Sequence, residues 1–427
     1  MIKGLRGLLG LLSAALAAVP SAGAAPDRAL EAIASEILAK ESGYYQADPV
    51  VGFVHRPSQR IPTPWPEHPA GSIEVVINGQ GFREDRPTKT RKAAGSLRIL
   101  VTGDSHTDGV VPNRESFPNV LEAALERGTG AGKVEVINGG VGHYSFQNYG
   151  RFLKRHLSLR PDVFVVAVYS GNDFGEAAHY LELAEGRSSG KAYLSRLSQA
   201  ERINGGAVWQ ALNQVVYFKS FPAMAGRARA FAQERLRELD RLCRQERIRL
   251  LVVLLPTKLD VEWDSDQERL DRVRDFLGLS DSDLGINASL REGLARWLTK
   301  EGIPHWDATA DLIKVRGKAG LFWKHDYHLG TEGHRHLAYL LLERGPAEAE
   351  PWKPGRTAGS ATGPTTSASW LATSGSSTST ACRGTAGSWT SGRGSATSSS
   401  FLRPAVFATS RASSPTGPCW VWPGISR

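Results

Sequence analysis

LRILVTGDSHTDG, residues 97–109, decides the reading of this chain. An apolar run, LRILV, passes through Thr102 and Gly103 into an acid and then a serine. Runs of Val, Ile and Leu without polar alternation mark strands covered on both faces. A strand of that kind ends here by presenting a hydroxyl, Ser105, at its carboxyl tip.

Three further runs have the same character: VEVIN (134–138), DVFVVAVYS (162–170) and IRLLVVLLP (248–256). A weaker fifth is IPHWDAT (303–309). Helical patterns lie between them. FPNVLEAALER sets Val120, Leu121, Ala124 and Leu125 on one stripe, with Ser116 as its cap and Pro118 in its first turn. ARAFAQERLRELDRLCRQER repeats at Ala232, Leu236, Leu239 and Leu242–Cys243, and GHRHLAYLLLER stops at Gly345. This alternation predicts an α/β domain over residues 96–345, with a central parallel sheet of about five strands and helices on both faces. Such sheets hold ligands at the carboxyl ends of their strands. VTGDS, VINGG and VYSGND all terminate there.

The flanks differ in kind. Residues 1–25 read as a secretory signal: Lys3 and Arg6 open it, an apolar run follows, and Ala22-Gly23-Ala24 closes it. The run is shorter than the ~20 residues a span needs, so export to the periplasm or beyond is expected, with no stable membrane span. Residues 26–95, with Tyr44-Tyr45, RPSQRIPTPWPEHP and SIEVVINGQGF, read as a small β-rich lead-in. Residues 174–230 read as a long irregular insertion, a lid or binding wall. Residues 346–427 have the composition of a disordered tail, rich in Ser, Thr, Gly and Ala, with no Asp or Glu from Pro351 onward. They nevertheless carry five of the eleven tryptophans, which fits a shifted reading frame better than a natural linker.

Of the net charge of +9, seven units come from residues 351–427 and two from the leader, so residues 26–350 are neutral overall. The high isoelectric point therefore implies no basic face for nucleic acid. Cys243 is the single cysteine of the body, with Cys382 and Cys419 in the tail, and neither a disulfide framework nor a thiolate metal site is implied. Cys243 falls in a helical pattern and reads as packing.

A serine hydroxyl is a weak nucleophile. It needs a base within hydrogen-bond reach, a group that orients the base, and donors for the developing oxyanion. KHDYHLGTEGH (324–334) supplies Asp326 and His328, one residue apart, so a bent loop would let the carboxylate hold Nδ1–H while Nε2 faces Ser105. Asn172 in YSGND offers a side-chain amide, and NGGVGHYS (138–145) offers backbone N–H groups. Each segment alone has a blander reading: a serine cap, a turn asparagine followed by Asp173 as a helix cap, a polar loop before a helix. Together, at matching strand tips, they point to one site.

The set resembles the SGNH hydrolases, also called GDSL esterases. GDSHTDG is similar to their first block, NGGVGHYS to the second, SGND to the third and DYHLGTEGH to the last. INGQGFR (77–83) resembles a segment that precedes the first block in bacterial members. The resemblance implies a flavodoxin-like three-layer α/β/α fold, no cofactor and no metal. It implies Ser105 as nucleophile, His328 as base, Asp326 as its orienter, and Asn172 with the Ser105 amide as oxyanion donors. Three departures stand out. Ser170 replaces the first glycine of the third block. His143 replaces the second-block glycine that donates its amide, so that role falls to Gly142 or His143, and a Cβ at 143 resists positive φ. The acid and histidine are spaced Asp-x-His, one residue shorter than usual.

Two other motifs carry less. GRSSG (186–190) matches G-x-S-x-G but no strand precedes it, which argues against Ser188 as a nucleophile elbow. GVGHYS lacks the third glycine of a dinucleotide fingerprint. His325, Asp326, His328, His334 and His336 suggest metal ligands, but His334 and His336 start the last helix pointing apart and no further ligand set is evident. The expected function is an exported serine esterase that cleaves short acyl esters, O-acetyl groups on carbohydrate being the preferred class. An envelope polysaccharide O-acetyltransferase using the same three residues is one alternative, and a non-catalytic glycan-binding module the other.

Overall fold

The computed structural model describes residues 27–130, 132–187, 209–262, 267–317 and 320–345; the leader, Ser188 and the tail lie outside them. The chain enters through helix α1 (Arg28–Glu41). Two antiparallel hairpins follow: β1 (Tyr45–Asp48) with β2 (Gly52–His55), and β3 (Gln59–Pro64) with β4 (Ser72–Ile77). The hairpins match the β-rich lead-in read from sequence; α1 is additional. Its sequence explains it: Asp27 caps the first turn by accepting the Leu30 N–H at 3.1 Å, and Leu30, Ile33, Ala34 and Ile37 fall on one buried face.

The main sheet is built from β5 (Leu97–Gly103), β6 (Val134–Asn138), β7 (Val163–Tyr169), β8 (Arg249–Leu255) and β9 (His305–Asp307), all parallel, in the order β6-β5-β7-β8-β9. Numbered from its own first strand this is 2-1-3-4-5, the flavodoxin-like order, with its switch point between β5 and β7. All five expected strands are present.

Successive side chains of a strand point to opposite faces, so continuous apolar strands feed two cores. Leu100, Ile137, Phe164, Val166, Val168, Val252 and Leu254 enter one; Ile99, Val101, Val136, Val165, Ala167, Val253 and Leu255 enter the other. The first core is covered by α1, α4 (Phe146–His156), α5 (Asp173–Ala184), α6 (Trp209–Ser220), α7 (Pro222–Glu246) and α8 (Ile286–Glu301). The second is covered by α3 (Phe117–Thr129), α9 (Thr309–Val315) and α10 (Thr331–Glu343). Each fully buried large aliphatic or aromatic side chain contributes roughly 1.5–3 kcal/mol. Cys243 is one of these packing residues, buried on α7.

Two local expectations change. Residues 174–230 are not irregular where they are described: they form α5, α6 and the start of α7, with Phe174, Ala177, Ala178, Tyr217, Phe218, Met224 and Ala228 in the first core. Much of that stripe is alanine, which buries a face without a strong hydropathy signal. Ser116 does stand at the cap position of α3, yet its hydroxyl donates to Asn119 Oδ1 at 2.6 Å and makes no capping bond.

Candidate active site

Ser105 is placed by the tip of β5. Gly103 has no room for a side chain, since a Cβ there would lie 2.7 Å from the Ala167 carbonyl oxygen of β7. Asp104 remains extended and its carboxylate accepts the His106 N–H at 2.9 Å, starting the four-residue helix α2 (Ser105–Asp108). Gly109 closes that helix at φ 91°. Ser105 thus opens a helical turn at the switch point, where α/β sheets present ligands.

The partner loop folds as a tight turn. Phe322 and Leu329 form an antiparallel bridge, and Trp323 N–H donates to the His328 carbonyl at 2.8 Å. Inside it, Tyr327 takes φ 72°, in the left-handed region that a side chain disfavours. That kink turns the flanking side chains to the same side: Asp326 Oδ1 lies 2.5 Å from His328 Nδ1 and also accepts the His328 N–H at 3.2 Å. The shortened Asp-x-His spacing therefore joins its two members. His328 Nε2 lies 2.8 Å from Ser105 Oγ, across 223 residues of sequence. Ser105 is 5% exposed and His328 7%.

Burial alone would lower the His328 pKa, but the Asp326 carboxylate, helped by Asp104 and Asp108, raises it above the ordinary imidazole value. Asp104 is itself raised to about 6, chiefly by burial, while its His106 amide bond, the His328 charge and the Asn172 amide act the other way. His106 lies between two rings, stacked on Tyr169 at 3.7 Å and tilted against His328 at 4.8 Å. Its Nδ1 accepts the Leu329 N–H at 3.4 Å.

The glycine-rich turn after β6 lies beside the serine. A Cβ on Gly142 would fall 3.9 Å from Ser105 Cβ and 2.5 Å from Tyr45 Oη, so only glycine fits. His143 adopts φ 67° despite its side chain, where resistance to positive φ was expected. An anchor accounts for this: His143 Nε2 lies 3.1 Å from Glu41 Oε1 at the end of α1, and that carboxylate raises the imidazole's pKa against the effect of burial. Asn172 stands at the N-cap position of α5 without spending its side chain on a capping bond. Asp173 is the first helical residue, its carboxylate accepting Tyr149 Oη–H at 2.7 Å and Tyr169 N–H at 3.0 Å. Ser170, at the position of the missing glycine, is buried, and its carbonyl accepts from Gln214 Nε2 at 2.7 Å.

Sequence reasoning missed the charge network behind Ser105. Asp108, at the end of α2, is buried with His55 Nε2 at 3.2 Å, Arg83 Nη1 at 3.3 Å and Tyr44 Oη at 3.2 Å. Burial would raise the Asp108 pKa; His55 and Arg83 overcome it and hold the group below the ordinary carboxylate value. The one signal was Arg83 inside INGQGFR. The lead-in therefore supplies the countercharge of the helix that Ser105 opens.

The remaining histidines stand apart from this cluster. His334 Nδ1 accepts the Phe117 N–H at 3.2 Å, and burial lowers its pKa to about 3. His336 faces Glu332 at 3.9 Å, and the His325 N–H donates to Glu67. Among the described residues no three His, Cys, Asp or Glu side chains are grouped to hold a metal ion.

No family model matches the chain, and no curated protein matches it. Among solved structures it is similar to the acetyl xylan esterase AlAXEase, at 15% identity over 58% of this chain and 100% of that one, with a TM-score of 0.36. It is also similar to a member of the lipolytic G-D-S-L family from Veillonella parvula, at 15% identity over 59% and 100% of the two chains, TM-score 0.34. A third is a catalytic mutant of Axe2, an acetylxylan esterase from Geobacillus stearothermophilus, at 13% identity over 60% and 97%, TM-score 0.33.

Proposed function

We propose that the chain is a serine ester hydrolase of the SGNH type, with Ser105 as nucleophile, His328 as general base and acid, and Asp326 as the group that orients it. The observation that carries this reading is the continuous contact from Ser105 Oγ to His328 Nε2 at 2.8 Å and from His328 Nδ1 to Asp326 Oδ1 at 2.5 Å.

The proposed chemistry uses these contacts. Nε2 takes the hydroxyl proton as Oγ attacks the acyl carbon, and Asp326 stabilises the imidazolium that forms. The carbonyl oxygen becomes an oxyanion facing the Ser105 N–H, the amide of Gly142 or His143, and the Asn172 side chain. Donors of this kind are worth about 2.7–4 kcal/mol each when removed singly. Nε2 then returns the proton to the departing alcohol oxygen, leaving an acyl-serine. Water, deprotonated by the same nitrogen, attacks the ester carbonyl and releases the acid and the free hydroxyl.

The finer reading is an exported enzyme acting on short acyl groups, O-acetyl esters of carbohydrate in particular. It draws on the leader-like residues 1–25 and on the acetyl xylan esterases among the similar structures. Purified protein incubated with p-nitrophenyl acetate and with an O-acetylated oligosaccharide tests it. Ser105-dependent release of acetate from both is expected. Acetate release from neither would replace catalysis with glycan binding, and an acetylated product formed with an added sugar acceptor would replace hydrolysis with transfer.

A further inference from the structure

The carboxyl tips of β5, β6 and β7 have roles in the site described above. The tip of β8 has had none. It runs Leu255-Pro256-Thr257-Lys258, and Lys258 is 3% exposed. Thr257 and Asp260 close a capping box there, and Arg291 of α8 braces Asp260 at 3.0 Å, so the lysine projects from a fixed turn. Burial of an ammonium is costly unless its donors are satisfied, which makes its surroundings informative.

Those surroundings belong to the Asp326–His328 loop. Lys258 Nζ donates to the Trp323 carbonyl at 3.1 Å and to the Lys324 carbonyl at 3.2 Å, and it lies 4.6 Å from the centroid of the Tyr327 ring. From the other side, Glu67 of the lead-in accepts the Lys324 N–H at 2.6 Å. Residue 324 is therefore gripped at both of its backbone polar groups, two residues before Asp326. The ring over which the ammonium sits is that of the residue at φ 72°. A side chain in the left-handed region persists only where its surroundings over-determine it, and here the ring is held between this cation and an apolar cluster that includes Leu212, Val215 and Val216.

We propose that Lys258 is a positioning residue of the site: its ammonium, bonded to the 323 and 324 carbonyls and seated on Tyr327, fixes the left-handed turn through which Asp326 reaches His328. The inference rests on the esterase reading. It places the lysine outside the reacting atoms, acting through the base and its carboxylate. Charge and reach are both required, so arginine substitutes partly and methionine not at all.

The test compares Lys258→Met, Lys258→Gln and Lys258→Arg with the parent chain. Turnover of p-nitrophenyl acetate, thermal unfolding and the far-downfield proton NMR signal of the Asp326–His328 hydrogen bond are measured. Displacing a reacting group by about 1 Å costs on the order of 100-fold. Lys258→Met is expected to lower kcat by about that factor with KM nearly unchanged and to lose the downfield proton, while Lys258→Arg recovers part of both. Lys258→Gln reads the same loss should the methionine variant not fold. Unchanged kcat with the downfield proton retained in a folded Met or Gln variant overturns the proposal. Absence of Ser105-dependent turnover in the parent overturns the esterase reading instead, while the NMR signal still reports on the turn.

Discussion

Asp326 and His328 touch at 2.5 Å although a single residue separates them, because Tyr327 between them bends the backbone to φ 72°. The contact governs the charge of the proposed base. His328 can accept the serine proton only when neutral, and its pKa is raised, since the carboxylates of Asp326, Asp104 and Asp108 outweigh burial. The acid limb of kcat/KM is therefore displaced upward, with half-maximal activity above the ordinary imidazole value of about 6.5. Asp326→Asn removes the largest raising charge, so the limb moves to lower pH while kcat falls by about 10⁴-fold. A pH–rate profile of both proteins checks the two shifts together.

Asn172 predicts a different signature. As a proposed oxyanion donor its amide would act on charge that exists only in the transition state, so Asn172→Ala is expected to lower kcat by about 10²–10³-fold with little change in KM. Steady-state kinetics on one chromogenic ester measures it.

Gly142 and Tyr45 make a paired prediction. A methyl group on Gly142 would lie 2.5 Å from Tyr45 Oη but 3.7 Å from its Cζ, so the hydroxyl alone is the obstacle. Gly142→Ala should cut activity by about tenfold or more, and adding Tyr45→Phe should restore most of it. A double-mutant cycle reads the coupling directly.

The strands of the sheet were legible because parallel strands buried on both faces must be apolar throughout, and LRILV, VFVVAV and RLLVVLL have no other reading. The three strand tips were legible because glycines, an asparagine and a serine interrupt those runs. What the sequence concealed lies in long-range pairing. Asp108 meets His55, Arg83 and Tyr44 from 53, 25 and 64 residues away, and nothing local marks a charge that will be buried. Lys258 reads as one more surface lysine for the same reason. Helix α1 did carry a signal, Leu30, Ile33, Ala34 and Ile37 at helical spacing, outweighed by the strands and prolines that follow it.

That buried network sets a stability prediction. Arg83→Met strips a cation from Asp108, and leaving a buried charge undercompensated costs about 3–5 kcal/mol. The midpoint of urea unfolding should fall accordingly. Asp108 is held below the ordinary carboxylate value, so its contribution is present above about pH 4 and is lost as the pH falls through the lowered folded-state pKa. The gap between parent and variant should narrow in acid.

The proposed chemistry depends most on the hydroxyl and the imidazole that meet at 2.8 Å. A fluorophosphonate probe reacts with a serine only where a neighbouring base removes its proton, and peptide mapping names the residue that carries the label. The expected result is a single label on Ser105, formed in the parent chain and abolished in His328→Ala. A label on another serine, or labelling of Ser105 that proceeds equally well without His328, would contradict it.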